Sequence, residues 1–498
     1  MKLRLLQFLA CVLLVSMPSF SSVESIPSAV HPSPGISTSF GNGREIRLER
    51  KIQNFSGQRD ADIVSPKSVN IHPSGRKFYI NCLEGGKTVV YSLPGFEKLA
   101  VVNHRFTDAD SALWAPASGL FKFRHYTDRL NTFMGKPVES TFSHGGRYLW
   151  VPYYRRSYDL NAQDPSAMAI IDTRTDTIVR MMETGVLPKM VATSPDGKTL
   201  AVSHWGDNTV GLIDISSSNP KDWHYLANVV VGHQLFHNFS LTVPVNRDRN
   251  TGEALRGTVF TPDSRHLLVG CLGGGGIAVI DVKEKKYLGK LTGTLPNLRH
   301  LVIKDKWLYI SINQSGHVQR VPMSEILSKV NEMDGKGNVA LKGLQTLKVA
   351  PGARTLEVTP KGDYIFVACN IGSRVCVVDS SMNLVGEIPA DSYPVGLDIS
   401  RDGKWLITTS QGRKDHGGGN CVDIFSLTGI EGGPEYKEEI SADTISFESI
   451  PVAEDVMTGE SATGKGLLYS PVKIILICLP FALLVIITLI VINRRNRK

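Results

Sequence analysis

The chain has 498 residues, of which 42% are hydrophobic and 20% are charged. This composition is typical of a folded protein and excludes a chain that is disordered throughout. The formal net charge is +8, but the basic residues do not form long runs, so we expect no nucleic-acid partner.

The N-terminal segment has the layout of a secretory signal peptide. Lys2 and Arg4 precede an apolar run from Leu5 to Val15, and small residues follow it. We therefore predict a signal peptide over residues 1–21. Residues 22–43 are rich in Ser, Pro and Gly, which indicates a flexible leader.

The C-terminal segment indicates a membrane anchor. Ile474–Ile492 carries no charge and is followed by four basic residues; as a helix it would be about 28 Å long. Cations directly after such a span favour the cytoplasmic side. We predict a transmembrane helix over 472–492 and a basic cytoplasmic tail over 493–498. The protein would then be a single-pass protein of the cell membrane, with its main part on the periplasmic or extracellular side.

A repeat dominates the region between these segments. Val191–Asp214 reads VATSPDGKTLAVSHWGDNTVGLID, which predicts a strand, a tight turn, a second strand, a short loop and a third strand. The third residue of the turn is a reference for counting, and it recurs seven times, at Gly75, Gly146, Gly197, Ser264, Asp305, Gly362 and Gly403. The shortest spacing is 41 residues, the length of one four-stranded propeller blade. The sequence therefore predicts an all-β, seven-bladed β-propeller over residues 44–430.

The extra length in the other repeats must form insertions, the largest around Phe106–Lys136, Arg155–Pro165 and Ser216–Ala254. After Cys421–Leu427 the last blade still lacks its outer strand, and Glu45–Ile52 is strand-like but belongs to no repeat. We predict that this N-terminal strand closes the ring and leaves no exposed edge. Residues 431–470, with nine acidic residues against two basic ones, would form an acidic stalk.

The repeats VATSPDGKTLAVSHWGDNTVGLID and EVTPKGDYIFVACNIGSRVCVVD resemble the Tyr-Val-Thr-Asn (YVTN) propeller repeat of secreted and surface-layer proteins. The resemblance covers roughly Pro66–Leu427. Relatives of that fold include lactonase-like propellers and the haem d1 domain of nitrite reductases. The resemblance implies a seven-bladed ring outside the cytoplasm, but no single activity. We expect no cofactor, because the axial histidine of haem d1 domains cannot be placed by motif and the chain has no Cys-x-x-Cys-His.

One aligned position suggests a ligand site. Eight residues before the reference residue, four of the seven repeats have a cation; the full set is Lys67, Val138, Lys189, Arg256, Asn297, Arg354 and Val395. This position lies near the start of the innermost strand, so the ring would bring the four cations to one rim of the central channel. They would favour a carboxylate, a phosphate or an acidic partner. Alternatively, each cation pairs with a neighbouring acid such as Glu139 or Glu357, or faces solvent.

Two weaker sets of residues are also candidates. Five residues before the reference residue, His300, Glu357 and Asp398 share one column and could act as acids and bases in the channel; alternatively they are hydrogen-bonded structural residues. His233 and His237 have metal-ligand spacing only if their segment is helical, and otherwise are exposed loop histidines.

Five cysteines lie between the two apolar termini. Cys369 and Cys376 flank Asn370–Val375, which is predicted to be a hairpin loop. In a symmetric register they would face each other, where a disulfide could form. Small buried residues at the ends of strands explain the pattern equally well.

These observations favour a membrane-anchored, extracytoplasmic propeller that acts as a non-enzymatic binding module for an anionic ligand or an acidic protein. One alternative is a lactonase-like hydrolase that acts on a small anionic substrate. Another is a structural component of the cell envelope.

Overall fold

The computed structural model describes residues 31–53, 59–247, 252–333, 337–413 and 418–437. The predicted signal peptide, most of the leader and of the stalk, the predicted transmembrane helix and the basic tail lie outside these residues. Among the helices in the described ranges, none is long and apolar enough to cross a membrane.

The described residues form 32 strands in seven sheets, whose pairings are antiparallel with one exception, and one short α-helix. The chain begins with β1 (Ser37–Ser39) and β2 (Glu45–Gln53), which belong to the last sheet. Blade 1 contains β3 (Pro66–Ile71), β4 (Lys77–Cys82), β5 (Lys87–Ser92) and β6 (Lys98–Asn103). Blade 2 contains β7 (Arg105–Phe106), β8 (Phe133–Pro137), β9 (Thr141–Ser143), β10 (Tyr148–Arg156), β11 (Pro165–Asp172) and β12 (Thr177–Val186).

Blade 3 contains β13 (Pro188–Thr193), β14 (Thr199–His204), β15 (Thr209–Asp214) and β16 (His224–Val230). Blade 4 contains β17 (Leu255–Phe260), β18 (His266–Cys271), β19 (Ile277–Asp281) and β20 (Lys286–Thr292). Blade 5 begins with β21 (Leu298–Lys304), β22 (Trp307–Ile312) and β23 (His317–Pro322). The helix α1 (Met323–Glu332) follows; β24 (Val339–Ala340) then joins the edge of blade 4, and β25 (Gln345–Lys348) completes blade 5.

Blade 6 contains β26 (Ala353–Val358), β27 (Tyr364–Cys369), β28 (Arg374–Asp379) and β29 (Leu384–Pro389). Blade 7 contains β30 (Pro394–Ile399), β31 (Trp405–Ser410) and β32 (Cys421–Thr428), followed in space by β2 and β1. Short 3-10 turns span Asp108–Leu113, His144–Gly146 and Pro220–Asp222. The sheets confirm the prediction of an all-β, seven-bladed propeller.

The hydrophobic core is divided between the blades. Seven clusters of buried side chains each join two neighbouring blades, as where Leu149 and Val151 of blade 2 pack with Tyr79 and Val90 of blade 1. Each sheet is therefore covered on both faces. This explains why the second and third strands of the repeats are almost continuously hydrophobic instead of alternating.

The N-terminal strand closes the ring as predicted. β2 pairs antiparallel with β32, with Ile46 opposite Leu427 and Ile52 opposite Val422. The last blade thus joins chain segments that are more than 350 residues apart in the sequence. Because β2 pairs with β32, β32 is not left as an unpaired edge strand.

A buried ion triad reinforces this closure. The Lys51 ammonium on β2 donates to the carboxylates of Asp423 on β32, at 2.7 Å, and of Asp391 before β30, at 2.9 Å. Burial would lower the pKa of Lys51, but the two negative charges outweigh it and the pKa is raised.

The cysteine pair differs from the expectation. Val367 faces Cys376 and Cys369 faces Arg374, so the two cysteines are diagonal neighbours across the hairpin. Their sulfur atoms are 3.7 Å apart and both are free thiols, fully buried. Of the two alternatives, the register is therefore not symmetric about the cysteines, because the turn is centred between Ile371 and Gly372, one residue earlier than their midpoint.

We predict that Lys51→Met lowers the free energy of unfolding by about 3–5 kcal/mol, because two buried carboxylates lose their cation. Urea unfolding of the full-length protein measures the loss. The control is Arg47→Met on the same strand, whose half-exposed guanidinium lies 3.7 Å from Glu49; it should change the free energy by less than about 1 kcal/mol. Equal losses in the two variants would contradict a specific role for the triad.

Candidate functional site: a cation-lined central channel

A β-bulge places one side chain of most blades at the mouth of the central channel. In blade 1, Pro66 pairs with Cys82 but Ser68 pairs with Asn81, so Lys67 is the extra residue of the bulge. Such a bulge bends the strand and redirects its side chain. The same register shift recurs at the start of five other innermost strands. The basic residues at these shifts are Lys67, Lys189, Arg256, Arg299 and Arg354.

Arg299 was not in the predicted column, which contained Asn297. The turn of blade 5 is the cause: Lys304 pairs directly with Trp307, leaving a two-residue turn, whereas the other turns of this kind contain four residues, as between His72 and Lys77. Counting back eight residues from Asp305 therefore goes two residues too far, past Arg299 to Asn297. The side chain of Asn297 instead accepts a hydrogen bond from the backbone of Gln314, at 3.1 Å.

The same shift corrects the second column. His300 follows the bulge of blade 5 by one residue, whereas Glu357 and Asp398 lie three residues beyond the bulges of blades 6 and 7. At about 3.3 Å per residue, the two carboxyl groups belong to a deeper level of the channel than the bulge cations.

The channel contains a cavity of about 320 Å³. Four of the five bulge cations line it, together with Glu139, His300 and Glu357. Lys67, Arg256 and Arg354 are less than a tenth exposed, and Arg299 is partly exposed. The fifth cation, Lys189, is also buried; its ammonium lies 4.0 Å from the ring centre of Tyr154 and 5.3 Å from that of Trp205.

Glu139 from blade 2 is the acidic residue among these cations. One carboxylate oxygen is 2.5 Å from an Arg256 nitrogen and 3.9 Å from the Lys67 ammonium. Burial would raise the pKa of Glu139, but the surrounding cations outweigh it and lower the pKa to about 2. The second oxygen, Oε2, is buried and has no hydrogen-bond partner among the described residues. The pairing considered from the sequence is thus present at Glu139, but one carboxylate faces five cations.

The excess positive charge perturbs the cations themselves. Burial and the neighbouring charges of Arg354, Arg256 and Lys189 hold the pKa of Lys67 well below its usual value. Burial and the charges of Arg354 and Arg256 lower the pKa of Arg299 in the same direction. The Nε of Arg299 is buried and has no hydrogen-bond partner in the described part of the chain. This arrangement would be stabilised by an added anion.

The two deeper carboxyl groups hold their protons more strongly than ordinary carboxyl groups do. Burial and the charge of Asp398 hold the pKa of Glu357 well above its usual value, and burial raises the pKa of Asp398 to about 7. The Asp398 oxygens accept hydrogen bonds from the backbone of Ile71, at 2.6 Å, and of Ile399, at 2.8 Å. Asp398 is not among the residues that line the cavity, and its hydrogen bonds to backbone groups are those of a structural residue.

His300 is a neutral imidazole at the cavity wall. Its Nδ1 lies 3.1 Å from the carbonyl oxygen of Leu356 on the neighbouring blade. Burial, together with the charge of Arg256, lowers its pKa to about 4. Near pH 7 it can therefore accept a proton, and Glu357 can donate one.

The histidines of the Ser216–Ala254 insertion do not form a helix. His233 and His237 lie in irregular chain after β16, so the condition for metal-ligand spacing is not met. The His237 ring stacks on Phe239, with 4.7 Å between ring centres. No cluster of three or more His, Cys, Asp or Glu residues that could hold a metal occurs within the described ranges.

Together, the seven blades and the basic channel define a class of protein: a seven-bladed propeller with its candidate site at the central axis. Comparison with known families agrees with this class. The family model for "Lactonase, 7-bladed beta-propeller" matches residues 166–426, just over half of the chain, and the chain belongs to this family.

The chain is also similar to solved structures at low sequence identity. Hydrazine synthase of Kuenenia stuttgartiensis is 14% identical, with a TM-score of 0.50 over 76% of this chain and 99% of that chain. The Cps50 (Swd1) β-propeller domain of Myceliophteria thermophila is 13% identical, with a TM-score of 0.48 over 73% and 97% of the respective chains. A search of curated proteins finds no match.

Proposed function

We propose that the protein binds a small anionic ligand in its central channel. The observation that supports this most directly is the charge balance at the cavity, which four of the five bulge cations line together with one ionised carboxylate, that of Glu139. Burying several cations beside one carboxylate is costly, and a carboxylate or phosphate would relieve that cost through charge-assisted hydrogen bonds. A cavity of about 320 Å³ inside the channel suits a small molecule better than an acidic protein.

Substitutions of opposite sign test this proposal. Arg299→Gln and Arg354→Gln should each weaken binding of an anionic probe about tenfold or more, since a hydrogen bond to a charged group contributes about 1.5–3 kcal/mol. Glu139→Gln should strengthen binding, because it removes the competing carboxylate. The measurement is calorimetric titration with succinate, inorganic phosphate and gluconate in turn.

The control for these titrations is Arg174→Gln, which removes a half-exposed guanidinium on an outer turn of blade 2. Binding should also tighten as the pH falls, because Lys67 gains its proton and the anion favours the charged form. If none of the three anions distinguishes Arg299→Gln and Glu139→Gln from the wild type, the channel is not an anion site.

The second candidate is hydrolysis of an anionic lactone. It is supported by the family match and by His300 and Glu357, which line the same cavity as the cations. Neutral His300 would remove a proton from water as the water oxygen attacks the lactone carbonyl. The cations would stabilise the oxyanion. Glu357 would protonate the leaving alkoxide as the acyl C–O bond breaks, which gives the hydroxy acid.

For this candidate, His300→Ala and Glu357→Gln should each lower the rate of lactone hydrolysis about 100-fold. The rate is measured by pH-stat titration with six-membered lactones that bear a carboxylate. The rate should fall at alkaline pH, as Glu357 loses the proton it must donate. Full activity in both variants would exclude these residues from the reaction. If the protein binds anions but does not hydrolyse these lactones, the hydrolase candidate is excluded and only the binding function remains.

We further propose that the propeller is anchored to the cell membrane and lies outside the cytoplasm. This rests on the apolar run Ile474–Ile492, the basic residues after it and the signal-like segment at residues 1–21. The full-length protein should stay with the membrane pellet after an alkaline carbonate wash, and a chain that stops after Lys437 should be released. Release of both would contradict the anchor.

A further inference from the structure

A second cavity, of about 290 Å³, lies between two long insertions of the ring. One wall is residues 120–124, from the insertion before β8, and the other is residues 234–237, from the insertion after β16. The floor is formed by Gly185–Val186 and Gly206–Asp207, where blades 2 and 3 meet. The lining of this cavity shares no residue with that of the central channel.

The first wall is fixed by a buried carboxylate. Asp164, in the loop between β10 and β11, accepts hydrogen bonds from the backbone N–H groups of Arg124, His125 and Tyr126, at 2.9–3.2 Å. It also lies 2.8 Å from Nδ1 of His125. Since Asp164 is only 2% exposed, it holds this loop against the blade.

The same loop also holds the insertion that carries the second wall. The Asn161 side chain donates to the carbonyl oxygens of Ser240 and Val243, at 2.7 and 2.8 Å. The buried guanidinium of Arg247 donates to the carbonyl oxygens of Asn161 and Ala162, at 3.0 and 2.9 Å. One short segment thus holds both insertions, and the space between them is a built cavity with ordered walls.

Aromatic and aliphatic side chains make up part of both walls. Phe121 packs edge-on against Tyr225, with 5.1 Å between ring centres, and against His204, at 5.8 Å. Phe236 and Leu120 line the same cavity while being 60% and 43% exposed. Exposed hydrophobic side chains of this size around a cavity are typical of a ligand-binding site.

The charges at the opening are positive. The Arg124 guanidinium lies 3.9 Å above the ring centre of Phe236, and Lys122 is an exposed cation on the same wall. The acidic residue in the lining is Asp207 on the floor, and one of its oxygens already accepts hydrogen bonds from the backbone and the hydroxyl of Thr209, at 3.2 and 2.8 Å. The cations at the opening therefore remain available to an incoming carboxylate.

We propose that this cavity is a second binding site, for a small molecule that joins an aromatic group to a carboxylate. The aromatic group would lie between Phe121 and Phe236. The carboxylate would face Arg124 and Lys122.

The test is titration of the full-length protein with 3-phenylpropionate. Binding is measured by the transverse relaxation rate of the ligand protons. Saturable binding is expected, and Arg124→Gln and Phe236→Ser should each raise the Kd at least fivefold. The uncharged 3-phenylpropan-1-ol should bind at least fivefold more weakly than the acid. Because the substituted side chains are exposed, thermal unfolding of both variants should match the wild type.

Three matched variants distinguish binding at this site from non-specific surface binding and from binding in the central channel. Lys283→Gln removes an exposed cation of blade 4, and Leu99→Ser removes a 51% exposed hydrophobic residue of blade 1; neither should change the Kd. Arg299→Gln, in the channel, should also leave it unchanged. The proposal is overturned if binding is not saturable, if the acid and the alcohol bind equally, or if Arg299→Gln weakens binding as much as Arg124→Gln does.

Discussion

The pairing of β2 with β32 is the constraint on which the rest of the molecule depends. Blade 7 lacks its outer strands until the N-terminal segment joins it, and the Lys51 triad adds a charged contact among β2, β32 and the loop before β30. Until the ring is closed, neighbouring blades can separate and the innermost strands need not converge. Closure fixes the distance between the bulges, and therefore the charge density in the channel.

The channel holds several buried cations that repel one another, and the packing of the ring offsets this repulsion. Five cations are held near one another with Glu139 as their ionised acidic neighbour, and the lowered pKa of Lys67 reflects its burial and the repulsion by the other cations. Seven interblade hydrophobic clusters keep the strands in place against it. A site that is unfavourable when empty and fixed in shape is well suited to bind an anion, because little reorganisation is needed on binding.

The two cavities depend on different parts of the repeat. The channel site uses a position that six of the seven blades share, so its positive charge arises from the repetition of one bulge. The second cavity uses the parts in which blades 2 and 3 differ from the others, namely their insertions. Trp205 lies between the two regions: its ring faces the Lys189 ammonium at 5.3 Å, and its backbone belongs to the turn that also contains Gly206 and Asp207.

The sequence by itself determined the number of blades, the closing strand and four of the five bulge cations, because each follows from hydrophobic spacing and turn residues that are local in the chain. It misplaced Arg299 and His300, since a turn shorter by two residues changes the register without changing the pattern around it. It left open whether Cys369 and Cys376 face each other. Only the tertiary structure decided that Glu139 meets Arg256, that the Asp398 carboxylate accepts hydrogen bonds from the backbone instead of lining the cavity, and that Asp164 and Asn161 hold two insertions around a second cavity. The contacts of Glu139, Asp164 and Asn161 join residues 38–117 positions apart, and their geometry is set by the curvature of the closed ring, which no local pattern records.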